Sequence, residues 1–218
     1  NNPKFNNMKK VIMMIAFVTI AVTNGKAQST TDNREKMSFG LKLGTNYSNV
    51  YDSDNEDFVA DSKFGFAAGA FVVIPFGTFI GIQPEILYSQ KGFKSSGTYF
   101  GSTYEMTRTT NFIDVPVLFA VKPIEQVTLL FGPQFSYLMK QKDEFTGGSI
   151  SSTQQQEFDN DDITKNILGL TGGADINVDN LVFGLRAGWD IKTNEGDGNS
   201  STPRYKNMWY QATVGYKF

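Results

Sequence analysis

The sequence has neither cysteine nor histidine among its 218 residues. Without cysteine the chain has no disulfide framework, no thiol nucleophile, no thiolate metal site and no lipid-modified cysteine. Without histidine it has no Ser-His-Asp triad, no Cys-His dyad and no histidine-based zinc or copper site. These absences remove most hydrolase and metalloenzyme chemistry. We therefore expect no enzymatic activity, no cofactor and no metal ion.

Long apolar runs and a large excess of positive charge are also missing. The mean hydropathy of -0.28 excludes a helical membrane protein. The chain has 20 basic and 22 acidic side chains, so bulk positive charge does not favour binding to nucleic acid. Aromatic residues, in contrast, are abundant at 14% of the chain, and there are 21 glycines.

The first segment has the pattern of a secretory signal peptide. A Lys-Lys pair precedes a twelve-residue apolar run, 11–22. At about 1.5 Å per residue this run is too short to cross ~30 Å of hydrocarbon, which argues against a membrane anchor. Small residues before Gln28 predict cleavage between Ala27 and Gln28. We therefore expect 1–27 to be a signal peptide with an upstream extension.

Beyond Gln28, apolar and polar residues alternate with a period of two, and no stretch keeps a helical pattern. The clearest run, 181–192, has Leu, Phe and Trp on one face and Gly, Arg and Asp on the other. Each run is longer than the 5 or 6 residues of a typical globular strand and suits a tilted transmembrane strand of about 9–11 residues with flanks. Eight strands are predicted: 37–48, 63–74, 79–91, 109–122, 127–140, 164–177, 181–192 and 206–218.

The connections between these strands alternate between long and short, as in an up-and-down outer-membrane barrel with periplasmic termini and turns. A secreted soluble barrel would have to bury charged side chains or expose rows of Phe and Leu, which disfavours that alternative. The sequence thus predicts an all-β, eight-stranded antiparallel up-and-down transmembrane β-barrel over 37–218. A periplasmic segment, 28–36, precedes it. We expect the Gram-negative outer membrane as its location.

The last predicted strand ends in an aromatic face that includes Tyr216 and Phe218. This strand is similar to the signal read by the barrel assembly machinery, which we therefore expect as a partner together with outer-membrane lipid and lipopolysaccharide. Interfacial girdles are predicted from lipid-facing aromatic residues. These are Phe79, Tyr88, Tyr137, Trp189, Tyr210, Tyr216 and Phe218.

Four segments of the sequence carry a family resemblance. Two of them are IQPEILYSQKGF at 82–93 and TNFIDVPVLFAVKP at 110–123. The others are FGLKLGTNYSNV at 39–50 and KFGFAAGAFVVIPF at 63–76. They resemble the PorT-like outer-membrane β-barrel family of Gram-negative bacteria, and the last two look like that family's first hairpin. The resemblance implies the barrel fold. The founding type is implicated in protein secretion, so the resemblance also implies an accessory role in a secretion machine, with secretion-system proteins as partners.

Four acids and four bases are predicted to face the lumen: Lys42, Glu85, Asp114, Lys122, Asp175, Arg186, Asp190 and Lys217. The interior of an eight-stranded barrel is only wide enough for side chains to fill, and buried charges are costly unless paired. An ion-paired structural plug is therefore favoured, in which Glu85 and Arg186 meet across the lumen. A narrow pathway for ions or a small ligand is the alternative.

The long connections are expected to carry specificity, since function concentrates on loops of a rigid scaffold. Two of them are acidic, at 52–57 and 157–162. The first lacks the glycine and glutamate positions of a calcium loop, so a solvated loop is favoured over divalent-ion binding. The polar stretch 147–156 is predicted to be mobile.

Overall fold

The computed structural model describes residues 33–52, 60–99, 102–147, 150–157, 166–191 and 205–218. The predicted signal peptide, with Ala27 and Gln28 at its cleavage site, lies outside these residues. So does most of the two acidic connections. Within the described ranges, no helix is long and apolar enough to cross a bilayer.

The described residues form nine strands and one short 3-10 turn, Asn33–Glu35. The strands are β1 Ser38–Asp52, β2 Asp61–Pro75, β3 Ile80–Tyr99, β4 Ser102–Ile124, β5 Val127–Gly147, β6 Ile150–Glu157, β7 Asn166–Val178, β8 Leu181–Asp190 and β9 Tyr205–Lys217.

Eight of these strands close into a ring. Hydrogen-bonded neighbours follow the order β4-β3-β2-β1-β9-β8-β7-β5, and β4 also pairs with β5. Each of these pairings is antiparallel. The predicted all-β, antiparallel up-and-down fold is confirmed. The prediction of eight strands omits β6, which pairs with the far end of β5 outside the ring.

The long strands β3, β4 and β5 continue beyond their predicted ends. Tyr99 pairs with Ser102, so the predicted loop 92–108 is a paired hairpin, and Gly147 likewise pairs with Ile150. The stretch 147–156, predicted to be mobile, largely forms β6. Its Ser, Thr and Gln residues lack apolar alternation, yet its backbone groups bond to β5, which satisfies them without an apolar face.

The short connections lie at one end of the ring, beside the start of β1 and the end of β9, and we call this the turn end. They are 76–79, 125–126 and 179–180. Asp179 has a φ of 52°, a left-handed conformation that Asp tolerates in a two-residue hairpin turn. The opposite end, where β3, β4, β5 and β6 project together, is called the hairpin end.

The two faces of the ring are the inverse of those of a soluble protein. Leu43, Phe64 and Leu185 point outward and are 62%, 68% and 65% exposed. Lysine, arginine, aspartate and glutamate side chains are buried inside. Because closure of the ring pairs the strand backbones, such an exterior is compatible with hydrocarbon as solvent.

Candidate functional site

A cluster of charged side chains fills the lumen between its middle and the turn end. Lys42 donates a hydrogen bond to Glu85 Oε2, and Arg186 Nη2 lies 3.7 Å from Glu85 Oε1. Arg186 Nη1 also lies 2.7 Å from Asp175 Oδ1. Gln83 Nε2 donates to Glu85 Oε1 at 2.9 Å and to Asp175 Oδ2 at 3.2 Å. We call these five residues the central cluster. It joins β1, β3, β7 and β8.

Glycines on neighbouring strands give Lys42 the space to reach Glu85. Lys42 pairs with Gly69 on β2 and with Gly215 on β9. Neither partner has a side chain, so the lysine can cross in front of β2 to a carboxylate on β3. Lys42 and Glu85 are only 6% and 5% exposed, which makes this a desolvated ion pair.

The central cluster balances its charges, with two bases and two acids. Arg186 is 6% exposed and donates through Nη1 to the Ala174 carbonyl at 3.1 Å as well as to Asp175. Its Nε and Nη2 make no hydrogen bond to the described residues, so the burial of Arg186 is compensated by charge pairing with Asp175 and Glu85. Four of the eight residues predicted to face the lumen thus lie in one network, and Glu85 and Arg186 lie across the lumen from each other.

A second charged group lies toward the hairpin end. Lys91 Nζ is 2.9 Å from Asp114 Oδ2. The same nitrogen lies 3.7 Å from the centroid of the Trp209 ring and 4.9 Å from that of Phe112. Asp114 is among the residues predicted from sequence, whereas Lys91 and Trp209 are not. The alternation Glu85, 87, 89, 91 along β3 is the signal that places Lys91 inside.

Asp190, at the end of β8, is held by Asn207 on β9. The carboxylate oxygen Oδ2 accepts hydrogen bonds from the Asn207 backbone nitrogen at 3.1 Å and side-chain nitrogen at 2.5 Å. Asn207 is 3% exposed and is not identified by the sequence reasoning. Its partnership depends on the pairing of β8 with β9, which the alternation alone does not specify.

Neutral polar residues lie between the two charged groups. Asn46 Nδ2 donates to Ser89 Oγ at 2.9 Å, and Gln211 Nε2 donates to Asn46 Oδ1 at 2.8 Å. Two apolar clusters also face the lumen. One comprises Phe112, Leu138 and Ile167, and Phe112 pairs with Ser89; the other, nearer the turn end, comprises Phe71, Val73 and Val182, and Phe71 pairs with Glu85. The lumen is therefore occupied by side chains along most of its length.

The two remaining predicted residues, Lys122 and Lys217, lie at the turn end, away from the central cluster. Lys122 Nζ donates to the Arg34 carbonyl at 2.8 Å. Lys217 is half-buried and lines a cavity of about 40 Å³. No group of three or more metal-ligating side chains occurs within the described ranges.

The aromatic residues at the end of the chain form a small external cluster at the turn end. The Phe218 ring centroid lies 5.0 Å from that of Tyr216 and 5.0 Å from that of Phe39. All three rings face outward and are about half exposed. This position suits an interfacial girdle, because amphipathic and aromatic rings favour the headgroup level.

At the hairpin end, the far ends of β3, β4 and β5 pair with one another and with β6, and we call this part the projecting sheet. It has its own polar contacts. Arg108 forms a two-pronged ion pair with Asp143, with Nε–Oδ1 and Nη2–Oδ2 distances of 2.8 and 2.7 Å. Beside this pair, the Tyr104 and Phe145 rings stack at 5.7 Å. These residues lie on the part of β4 and β5 that projects beyond the ring and pairs with β6.

Several solved structures of outer-membrane proteins are similar to this chain at low sequence identity. The solved structure of Ail, the attachment invasion locus protein of Yersinia pestis, is 15% identical, covers 84% of this chain and 99% of that one, and has a TM-score of 0.45. Neisserial surface protein A is also 15% identical, over 84% and 100%, with a TM-score of 0.43. OprG of Pseudomonas aeruginosa is 12% identical, over 85% and 97%, with a TM-score of 0.36.

No curated protein sequence matches this chain. Residues 26–192 match the outer membrane protein beta-barrel domain. This match covers well over half of the 218 residues, and the chain therefore belongs to the outer membrane protein β-barrel family, proteins of the Gram-negative outer membrane.

Proposed function

We propose that this outer-membrane β-barrel protein is a closed, non-conducting and non-catalytic barrel that acts through interactions at its hairpin end. The position of Glu85 carries this proposal. Its carboxylate is buried between the ammonium group of Lys42 and the guanidinium group of Arg186, which come from three different strands. The alternatives are a narrow porin-like channel and a barrel that binds a small ligand.

The energetics of the central cluster support a structural plug. A hydrated ion could cross this region only if at least one buried ion pair separated, because the side chains already fill the interior. Leaving one partner of such a pair buried and uncompensated costs about 3–5 kcal/mol. The two apolar clusters occupy further space in the lumen, and their side chains offer no groups of their own to replace an ion's water.

Contacts with partners are assigned to the projecting sheet. Its exposed charged residues include Lys94 and Glu105, whose side chains are 48% and 61% exposed, and Lys142 and Glu144. The apolar exterior belt supports contact with outer-membrane lipid and lipopolysaccharide. Recognition by the barrel assembly machinery and cleavage between Ala27 and Gln28 remain predictions.

An accessory role in a secretion machine is the second candidate. The segments at 82–93 and 110–123, which carry the PorT-like resemblance, belong to β3 and β4 and lie side by side in one hairpin. That hairpin continues into the projecting sheet. Affinity capture from native membranes tests this role: reproducible recovery of a secretion-system protein would support it, and recovery of the barrel alone would contradict it.

Planar-bilayer recording on the refolded protein tests the closed barrel. We expect no steady discrete openings from the wild type. The double variant Glu85→Ala/Arg186→Ala should produce openings, because it removes the ion pair of Glu85 with Lys42 and that of Arg186 with Asp175. The matched control is Asp143→Asn, which changes an ion pair outside the lumen and should leave the barrel closed. Steady openings of the wild type would make the channel the correct function.

A further inference from the structure

Residues that precede β1 cross the mouth of the barrel at the turn end. Arg34 Nη1 donates to the Pro123 carbonyl at 3.2 Å and to the Lys122 carbonyl at 3.4 Å, and Lys122 Nζ donates back to the Arg34 carbonyl at 2.8 Å. A further hydrogen bond joins Thr78 to Glu35. Residues 33–36, here called the strap, are thus attached both to the end of β4 and to the β2–β3 connection.

A cavity of about 40 Å³ lies between the strap and the lumen. Arg34 and Lys36 line it from the strap, and residues of all eight strands of the ring line it from below. A water molecule needs about 10–15 Å³ of such space, so the cavity holds on the order of three water molecules. This is also the scale of a small oxyanion. We call this cavity the vestibule.

The described residues that line the vestibule carry more positive than negative charge. The four bases are Arg34, Lys36, Lys122 and Lys217, and the two acids are Glu125 and Asp175.

The acidic charge available to the vestibule is smaller than this count. Asp175 forms the 2.7 Å ion pair with Arg186, so its charge is largely balanced from the lumen side. Glu125 in the β4–β5 connection and Lys36 in the strap are both exposed, so water screens both charges. Lys122, in contrast, is only 5% exposed. A partly enclosed site with excess positive charge attracts anions more strongly than an open surface does.

We propose that the vestibule binds a small inorganic oxyanion of the size and charge of phosphate, held between Lys36 of the strap and Lys217 of β9. The anion enters from the turn end and does not traverse the barrel, because the central cluster forms the inner boundary. The proposal therefore goes beyond the closed barrel and does not depend on it. Apart from Arg34, Lys36 and Glu125, the walls are inward-facing side chains of the strands, which favours a free ion over a lipid headgroup.

Inorganic phosphate is the probe. The purified protein in zwitterionic detergent is titrated by isothermal calorimetry with phosphate, and with chloride at matched ionic strength. We expect saturable binding of phosphate and none of chloride. Lys36→Gln and Lys217→Gln should each weaken binding about tenfold, because each removes one charge-assisted contact. Lys94→Gln, a lysine at the hairpin end, should leave binding unchanged.

Two further arms keep the result interpretable. Heat-modifiable migration on a gel checks that each variant is folded, and Lys36→Gln decides the matter if Lys217→Gln does not fold. Absence of saturable binding by the wild type would overturn the proposal. Equal weakening by Lys36→Gln and Lys94→Gln would also overturn it, since the effect would then be one of net charge. Binding only when an anionic phospholipid replaces free phosphate would assign the site to a headgroup and contradict a free ion.

Discussion

The ammonium nitrogen of Lys91 lies 3.7 Å from the centroid of the Trp209 ring. The two residues belong to β3 and β9, which are separated in the ring by β2 and β1, so the contact crosses the lumen. Both side chains are 1% exposed. A cation–π contact in such a desolvated place is worth about 2 kcal/mol or more. Together with the ion pair to Asp114, this contact holds β3 against β9, two strands that share no backbone hydrogen bonds.

Replacing Lys91 with methionine should destabilise the barrel by about 3–5 kcal/mol, because Asp114 is left buried without its ion-pair partner. Urea unfolding of the refolded protein, followed by tryptophan emission, measures this loss. Adding Asp114→Leu to Lys91→Met should restore much of the stability, since the uncompensated charge is removed as well. If the double variant is no more stable than the single one, the ion pair is not the cause of the loss.

Glu85→Gln should cost far more stability than Asp143→Asn, although each removes one carboxylate charge from an ion pair. Glu85 is buried between two cations, so its neutralisation is expected to cost about 3–5 kcal/mol. The side chains of Asp143 and Arg108 are 24% and 16% exposed, and water screens that pair, so about 1 kcal/mol is expected. The same unfolding measurement compares them. Equal losses would mean that the central cluster is hydrated and open.

The ring could be predicted from the sequence because the bilayer imposes a simple pattern. Each spanning strand must place apolar residues toward hydrocarbon, so the alternation in 181–192 locates β8 to within two residues. The same alternation between the two faces of a strand places Glu85 and Arg186 inside. Alternation does not, however, specify how far along the lumen a side chain lies. Lys122 and Lys217 face inward by this criterion but lie at the turn end rather than in the central cluster.

What could not be predicted depends on contacts beyond the apolar belt or across the lumen. The Ser, Thr and Gln residues of β6 show no apolar alternation in the sequence, and the strand is recognised only by its pairing with β5. The contact of Lys91 with Trp209 joins β3 to β9. It results from closure of the ring and is not encoded in the local sequence of either strand. Lys91 also falls on the last residue of a predicted strand that continues to Tyr99.

Cysteines introduced at Glu35 and Thr78 should cross-link readily in the folded protein, because these two side chains are hydrogen-bonded where the strap meets the β2–β3 connection. The absence of native cysteine makes the experiment clean. A short bismaleimide reagent followed by a mobility shift after denaturation measures the yield. The control pair, Glu35→Cys with Lys94→Cys, spans the length of the barrel and should give none. Comparable yields for both pairs would show that the strap does not stay at the turn end.

The strand β6 should be dispensable for the barrel, since it pairs with the projecting part of β5, Lys140–Gly147, whereas β7 pairs with Val127–Tyr137. Proline at Thr153 removes a strand donor outside the ring and should change the free energy of unfolding by less than about 1 kcal/mol. Proline at Thr171, in β7, places the same substitution inside the closed ring and should abolish the heat-modifiable folded band. A loss of that band in Thr153→Pro would mean that β6 is needed for ring closure, and the projecting sheet would then be part of the barrel rather than a separate surface for partners.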